Sequence, residues 1–248
     1  MTVTVGAAAR SVTATRDWAA MEPTERDEML AEISASLEGC SALEIATWAA
    51  ESFGTDLVVA ASMQETVLLH LFSQVMPGVE AVFIDTGYHF PETLQTRDTV
   101  RRTLPVTVVN ATPRQSVAEQ DAEYGEKLYE RDPNLCCFLR KVMPLSEQLS
   151  GKAAWVTGVR RDEAPTRAGA PIVSWDAKND LVKINPLVSW TDADVEMYRH
   201  EYELVRNPLM DKGFPSIGCG PCTRAVKPGE DPRAGRWSGT AKTECGIH

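Results

Sequence analysis

The chain has 248 residues, with 25 Lys and Arg against 35 Asp and Glu, 43% hydrophobic and 24% charged residues, the make-up of a folded globular protein and not of a disordered or fibrous one. A net charge of −10 argues against nucleic-acid and anionic-membrane partners, whose phosphates are bound by clustered Lys and Arg. The longest stretch without an ionised side chain, Thr66 to Val79, is 14 residues, short of the ~20 that a membrane-spanning helix needs.

Met1 to Arg16 contains no acidic residue and is rich in Ala, Thr, Ser and Val; it reads as a disordered tail without the apolar run of a secretory signal. Thr24 to Ser52 reads as helical, with a capping box at Ser41 and Glu44 and a stop at Phe53-Gly54. Asp56 to Ser62 is a short apolar run that fits a buried strand, and Ser62-x-x-Glu65 is placed to cap the helix that follows. That helix sets Val67, Leu68, Leu71, Phe72 and Val75 on one face. Val79 to Ile84 reads as a strand, Pro91 to Thr103 as a helix, and Val106 to Val109 as a third strand. Helical signals follow at Pro113 to Glu123 and Cys137 to Leu149, then Ala153 to Gly158 as a core strand opening into a polar loop from Val159 to Ala170. Leu181 to Ile184 reads as an edge strand, and Thr191-x-x-Asp194 caps a short helix. Beyond Asn207 the density of Gly, Pro and charge suggests loops. Alternation of this kind predicts right-handed crossovers and a mostly parallel sheet flanked by helices, a single α/β domain over 17–230 followed by a mobile tail over 231–248.

In such sheets ligands bind where strands end and helices begin. Two turns stand out, Ala60 to Thr66 and Ile84-Asp-Thr-Gly-Tyr-His89, which together make a crevice of nucleotide size. The six cysteines are more specific. Cys136 and Cys137 are adjacent, and Cys219 and Cys222 form a Cys-x-x-Cys; four thiols in two clusters are the inventory of a metal site. Neighbouring side chains diverge and are awkward ligands for one tetrahedral zinc ion. The four separate irons of a 4Fe-4S cluster accept them, which favours the cluster. A thioredoxin-like redox pair at Cys219 and Cys222 is the competing reading, and it lacks the strand that should precede it.

Cys245 stands four residues from the end, where the sequence predicts an exposed thiol; Lys242 and His248 would favour its thiolate, while Glu244 opposes it. Cys40 has no partner in its surroundings and reads as a packing residue. Residues 1–60 hold three Arg against ten acids, whereas 205–248 hold seven Lys or Arg against four acids. Basic residues at Arg160, Arg161, Arg167, Lys141, Arg233 and Arg236, gathered around a nucleotide crevice, are the forked and point-charge donors that bind phosphate and sulfate.

Cys136-Cys137, Cys219-Gly-Pro-Cys222 with the following Thr-Arg-x-x-x-Pro-Gly-Glu-Asp-Pro-Arg-x-Gly-Arg-Trp, and Glu244-Cys-Gly-Ile-His248 occur together in the order that resembles assimilatory adenylylsulfate (APS) reductases. The resemblance runs from about Asp56 to the last residue. It implies an adenine nucleotide alpha-hydrolase-like fold and reduction of APS to sulfite and AMP in sulfate assimilation and cysteine biosynthesis. It further implies thioredoxin as reductant, a 4Fe-4S cluster on Cys136, Cys137, Cys219 and Cys222, and Cys245 as the catalytic nucleophile. Carried over to this sequence, substrate contacts fall on Ser62 in the modified pyrophosphate loop, on Ile84 and Thr86 for the adenosine part, and on Gly158 and Arg167 in the arginine-rich loop. Lys141, Arg233, Arg236 and His248 would face the phosphosulfate. The loop Ala60 to Thr66 lacks the glycines of related pyrophosphatases, and Asp132-Pro-Asn-Leu stands before Cys136 where the family often has a histidine.

Three other functions remain to be set against this one. A reductase of the 3′-phosphorylated substrate PAPS shares the terminal cysteine but usually lacks the four cluster cysteines. An RNA-modifying pyrophosphatase needs a glycine-rich loop and a more basic surface. A metal or redox sensor needs neither the arginines nor Cys245. The expected setting is a reducing cytoplasm, with a small-molecule substrate, no nucleic acid or membrane partner, and homo-oligomerisation possible.

Overall fold

The computed structural model describes residues 17–238, 242 and 244–247. The expectations for Met1 to Arg16 and for His248 therefore lie outside the described residues. Six strands, β1 (Leu57–Ala60), β2 (Glu80–Ile84), β3 (Thr107–Ala111), β4 (Ala154–Val156), β5 (Val173–Asp176) and β6 (Leu181–Ile184), form one sheet in the order β3-β2-β1-β4-β6-β5. All neighbours are parallel except β5 and β6. This is the single, mostly parallel α/β domain that the alternation predicts.

The helical stretch expected over Thr24 to Ser52 is two helices, α1 (Pro23–Leu37) and α2 (Ala42–Phe53), the second starting at the expected capping box. The break comes where Gly39 takes a positive φ of 83° and Ser41 starts a new capping box with Glu44. Helix α3 (Val67–Val75) follows β1, and α4 (Pro91–Thr103) follows β2 with the boundaries expected from its leading proline. Ser62 does not cap α3: its Oγ accepts from Gln64 N at 3.4 Å and the helix begins only at Val67. Helix α5 (Val117–Tyr124) is closed at its start by a capping box of Ser116 and Glu119.

The short α6 (Leu128–Arg131) leads into α7 (Pro133–Cys137), a π-helical stretch from Phe138 to Val142, and α8 (Met143–Leu149). The wide turn lies where Pro144 lacks the N–H that an α-turn would direct at the Arg140 carbonyl. Helix α9 (Asp192–Glu201) begins at the expected box of Thr191 and Asp194.

Leu181 to Ile184 is not an edge strand. It pairs with β4 on one side and with the antiparallel β5 on the other, and Leu181, Val182 and Ile184 are buried. The edge is β5, which offers one buried valine and so carries almost no periodic signal.

The large core on one face of the sheet unites α2 and α3 with Val59, Ala81, Phe83 and Val156. A smaller core on the other face joins Val58, Val82 and Trp155 to Leu145 and Leu149 of α8. Strand order reverses between β1 and β4, so the crevice at their carboxyl ends is the expected ligand site. Among the described residues no helix is long and apolar enough to cross a membrane.

Candidate active site

The turns leaving β1, β2 and β4 carry Ser62, Ile84 with Thr86, and Gly158, so the fold brings these candidates to one end of the sheet. Ser62 and Gly158 are exposed there. The β1 turn has no glycine, and Met63 takes φ 59° with its side chain fully buried, a conformation that persists only when its surroundings impose it. The 205–217 segment does so. Asn207 N donates to Gln64 O at 3.1 Å, Asn207 Nδ2 to Met63 O at 3.3 Å and to Thr93 Oγ1 at 2.9 Å, and Ile217 N to Gln64 Oε1 at 2.9 Å. These braces have no local sequence signal, because they join residues more than 100 positions apart.

Thr86 is fully buried and faces the cysteines: its Oγ1 lies 3.3 Å from Cys219 Sγ. The turn around it is tight. Gly87 has φ 73°, the left-handed region that favours glycine, and a Cβ there would come within 3.0 Å of Arg140 Nη2. Arg140 Nε donates to Thr86 O at 2.5 Å, and its Nη1 to Gln115 O and Gln120 Oε1. His89 Nε2 lies 2.7 Å from the Ile84 carbonyl, and burial holds the His89 pKa below its usual value, so the neutral ring donates to that carbonyl.

Cys136, Cys137, Cys219 and Cys222 line one cavity together with Tyr88, Tyr129, Arg140 and Lys141. Asp132 places the first pair: its carboxylate accepts from Asn134 N at 3.1 Å and Leu135 N at 2.9 Å, starting α7 with Pro133 in its first turn. The second pair is fixed by Gly220 N donating to Tyr88 O at 2.7 Å and by a bridge between Thr223 and Arg236.

Burial, added to by the neighbouring thiols, pushes the Cys136 thiol up to about 12 and the Cys222 thiol up to about 11. Burial opposes the charge of Lys141, yet the thiols of Cys219, Cys245 and Cys137 outweigh it and raise its pKa. Among the described residues no three His, Cys, Asp or Glu side chains stand as an already closed metal site. The donor set is nonetheless all sulfur, enclosed and faced by a buried cation, which suits a soft, anionic iron–sulfur centre. No cysteine is in a disulfide.

Cys245 is not the exposed thiol that its position in the sequence predicts. It is 8% exposed and packs with Cys137 and Trp237, while Ile247 beside it also reaches the smaller core. Lys242 Nζ donates to Asn134 Oδ1 at 2.6 Å, and Lys178 Nζ to the Gly246 carbonyl at 2.7 Å.

Of the arginine-rich loop only Arg167 turns toward this strap. Arg161 pairs with Glu38, and Arg160 with Asp192 and Glu163. Arg167 donates to both carboxylate oxygens of Glu244 at 3.0 and 3.1 Å and also pairs with Glu163. Arg233 Nη2 reaches Glu244 Oε2 at 3.1 Å. Arg236 is half-buried, its Nη1 donating to Ser216 Oγ at 3.1 Å, its guanidinium 4.4 Å from the centre of the Trp237 ring; desolvation lowers its pKa. Sequence reasoning missed Glu244 as a structural partner, along with Asn207, Gln64 and Trp237.

Residues 56–225, which include both turns and all four clustered cysteines, match the Phosphoadenosine phosphosulfate reductase domain. The chain belongs to this family. It is 56% identical over 226 residues to the adenosine 5′-phosphosulfate reductase of Streptomyces coelicolor, covering 91% of this chain and 96% of that protein. It is 54% identical over 215 residues to the Mycolicibacterium smegmatis protein of the same name, covering 87% and 91%.

Among solved structures, phosphoadenylyl-sulfate (PAPS) reductase from Candida auris in its phosphate complex superposes with a TM-score of 0.68 at 28% identity. That match covers 80% of this chain and 97% of that one. Candida glabrata FMN adenylyltransferase, at 14% identity and a TM-score of 0.50 over 82% of this chain and 67% of its own, shares the fold alone. Within the reductase domain family, the relatives named for the unphosphorylated substrate are thus similar over nearly the whole chain.

Proposed function

We propose that this protein reduces APS to sulfite and AMP with thioredoxin as the electron donor, in the cytoplasm, as a step of sulfate assimilation. The observation that carries the reading is the packing of Cys245 against Cys137 beside a cavity lined by Cys136, Cys137, Cys219 and Cys222, in a fold that brings Ser62, Ile84 and Gly158 to one end of the sheet. The names of the relatives at 54–56% identity support the substrate. Six cysteines without a disulfide are consistent with a reducing compartment.

In this reading the Cys245 thiolate attacks the sulfur of APS, an S–S bond forms, and the S–O bond to the phosphate breaks with its electron pair leaving on AMP. The enzyme then carries S-sulfocysteine. A thioredoxin thiolate attacks Cys245 Sγ, sulfite leaves with the electron pair, and the second thioredoxin thiol resolves the mixed disulfide, returning Cys245. The dithiol supplies both electrons.

Lys141, buried, and Arg236, half-buried, both near Cys219 and Cys245, orient and neutralise the phosphosulfate as charge moves toward AMP, with Arg167 and Arg233 completing the anion site and His248 a further proposed contact. Ile84 and Thr86 shape the adenosine end. Cys136, Cys137, Cys219 and Cys222 would hold a 4Fe-4S cluster, whose chemistry here is structural and electrostatic. Because Cys245 is enclosed, it must leave its packing against Cys137 and Trp237 for thioredoxin to reach it.

Incubation of iron-loaded protein with APS in the absence of thioredoxin tests this directly. Intact mass is expected to rise by one sulfonate group on wild type and to stay unchanged on Cys245→Ser. Adduct formation on the variant overturns the assignment of the nucleophile, and zinc or no metal in anaerobically purified protein overturns the cluster.

A further inference from the structure

Two guanidinium groups converge at the end of the sheet from different parts of the chain: Arg167 from the loop after β4, and Arg233 from the segment that bridges back onto Thr223. Both are substantially buried, and both point at the carboxylate of Glu244. Arg167 uses Nε and Nη2 on Glu244, at 3.0 to 3.2 Å, and its Nη1 on Glu163. A paired guanidinium fork is a seat for a planar or tetrahedral oxyanion, and it binds carboxylate, sulfate and phosphate with the same donors. Here the occupant is covalently part of the strap. Glu244 immediately precedes Cys245, so while the carboxylate is seated the thiol is held against Cys137 and Trp237.

We infer that Glu244 is an internal occupant of the substrate's anion seat: it latches the Cys245 strap shut, and an incoming oxyanion and Glu244 compete for Arg167 and Arg233. This rests on the proposed function only in taking those two arginines as contacts of the substrate anion. The charge of Glu244, which from sequence alone opposes a thiolate at Cys245, is instead neutralised by the pair. A ligand that binds the seat only when Glu244 has left it shifts the strap toward its open state by its difference in affinity for the two states. Opening the thiol is thereby tied to the arrival of an anion.

The rate of alkylation of Cys245 in the iron-loaded protein, read by peptide mass, measures strap opening without APS or turnover. Glu244→Gln is expected to raise that rate at least about fivefold, the lower range of coupling between two sites, while Glu244→Asp keeps the slower rate because the charge remains. In wild type, inorganic sulfate at tens of millimolar is expected to accelerate alkylation beyond sodium chloride of equal ionic strength, which controls for screening of the ion pairs. The sulfate effect should disappear in Glu244→Gln.

If Glu244→Gln alkylates at the wild-type rate, or if sulfate acts no differently from chloride on wild type, the latch is wrong. The wild-type comparison requires no variant to fold. Neither result bears on sulfonation of Cys245 by APS, so the latch and the enzymatic reading fail separately.

Discussion

Glu65 sits in the turn that leaves β1, with Oε2 buried and without a partner among the described residues. Burial, reinforced by the neighbouring carboxylate of Glu196, pushes its pKa from 4.5 up to about 7, against the pull of Arg206, Arg199 and Arg160. The folded protein therefore holds this proton where the unfolded chain has lost it, so stability falls as pH rises from 4.5 through 7 and the penalty is absent below 4.5. Glu65→Gln is expected to stabilise the fold by on the order of 1–3 kcal/mol at pH 8 and by little at pH 4, measured by denaturant unfolding at both. An equal effect at both values would mean that the carboxyl is solvated. At this scale the sequence revealed residue types and missed their partners. The Cys-x-x-Cys and the adjacent pair announced themselves, whereas the contact of Thr86 with Cys219 and the seat of Glu244 join positions 133 and 77 residues apart, beyond any local pattern.

Among the elements, the helix bearing Cys136 and Cys137 shows how much local chemistry is legible and where it stops. The boxes at Ser41 and Thr191 set helix starts as expected, because each hydroxyl accepts from the backbone N–H three residues on, and proline sets the start of α4 through its fixed φ. Asp132-Pro133 does the same for α7, yet the reading began a helix at Cys137 and so split the cysteine pair, leaving Cys136 outside it. In the structure the pair closes α7, and the π-helical stretch that follows keeps Arg140 and Lys141 buried with it. Asp132→Ala is expected to cost about 1 kcal/mol, the usual value of a lost N-cap, and to reduce the iron retained per chain on gel filtration. Full iron retention at that loss of stability would show that the cap does not place the ligands. Strands were harder, since β5 and β6 differ in burial only because of what lies beside them.

For the whole molecule, residues between Val205 and Glu244 tie together the ends of three strands, β1, β2 and β4. Val205 accepts from Thr66 Oγ1 at 2.5 Å, Asn207 braces the β1 turn, Gly220 holds the β2 turn, and Glu244 holds the β4 loop through Arg167. A cluster on Cys136, Cys137, Cys219 and Cys222 would tie this segment to α7. Binding to the folded state alone stabilises it, so removal of iron by a chelator under reducing conditions is expected to lower the melting temperature by several degrees, about what a 1–2 kcal/mol loss gives at this size. Identical midpoints for loaded and stripped protein would deny the cluster that structural role.

By itself the sequence determined the alternation of apolar strands and amphipathic helices, hence a mostly parallel sheet with its ligand end at the strand carboxyl termini, and it displayed the cysteines and cations that belong to one chemistry. Those properties follow from hydrophobic period, capping and covalent spacing, all of which act within a few residues. Tertiary structure alone decided which strand is the edge, that Cys245 is enclosed, that Met63 is held with positive φ by Asn207 and Gln64, and that Glu244 fills the seat between Arg167 and Arg233. These depend on pairing and burial between distant segments, where a side chain's role is set by what the fold places against it.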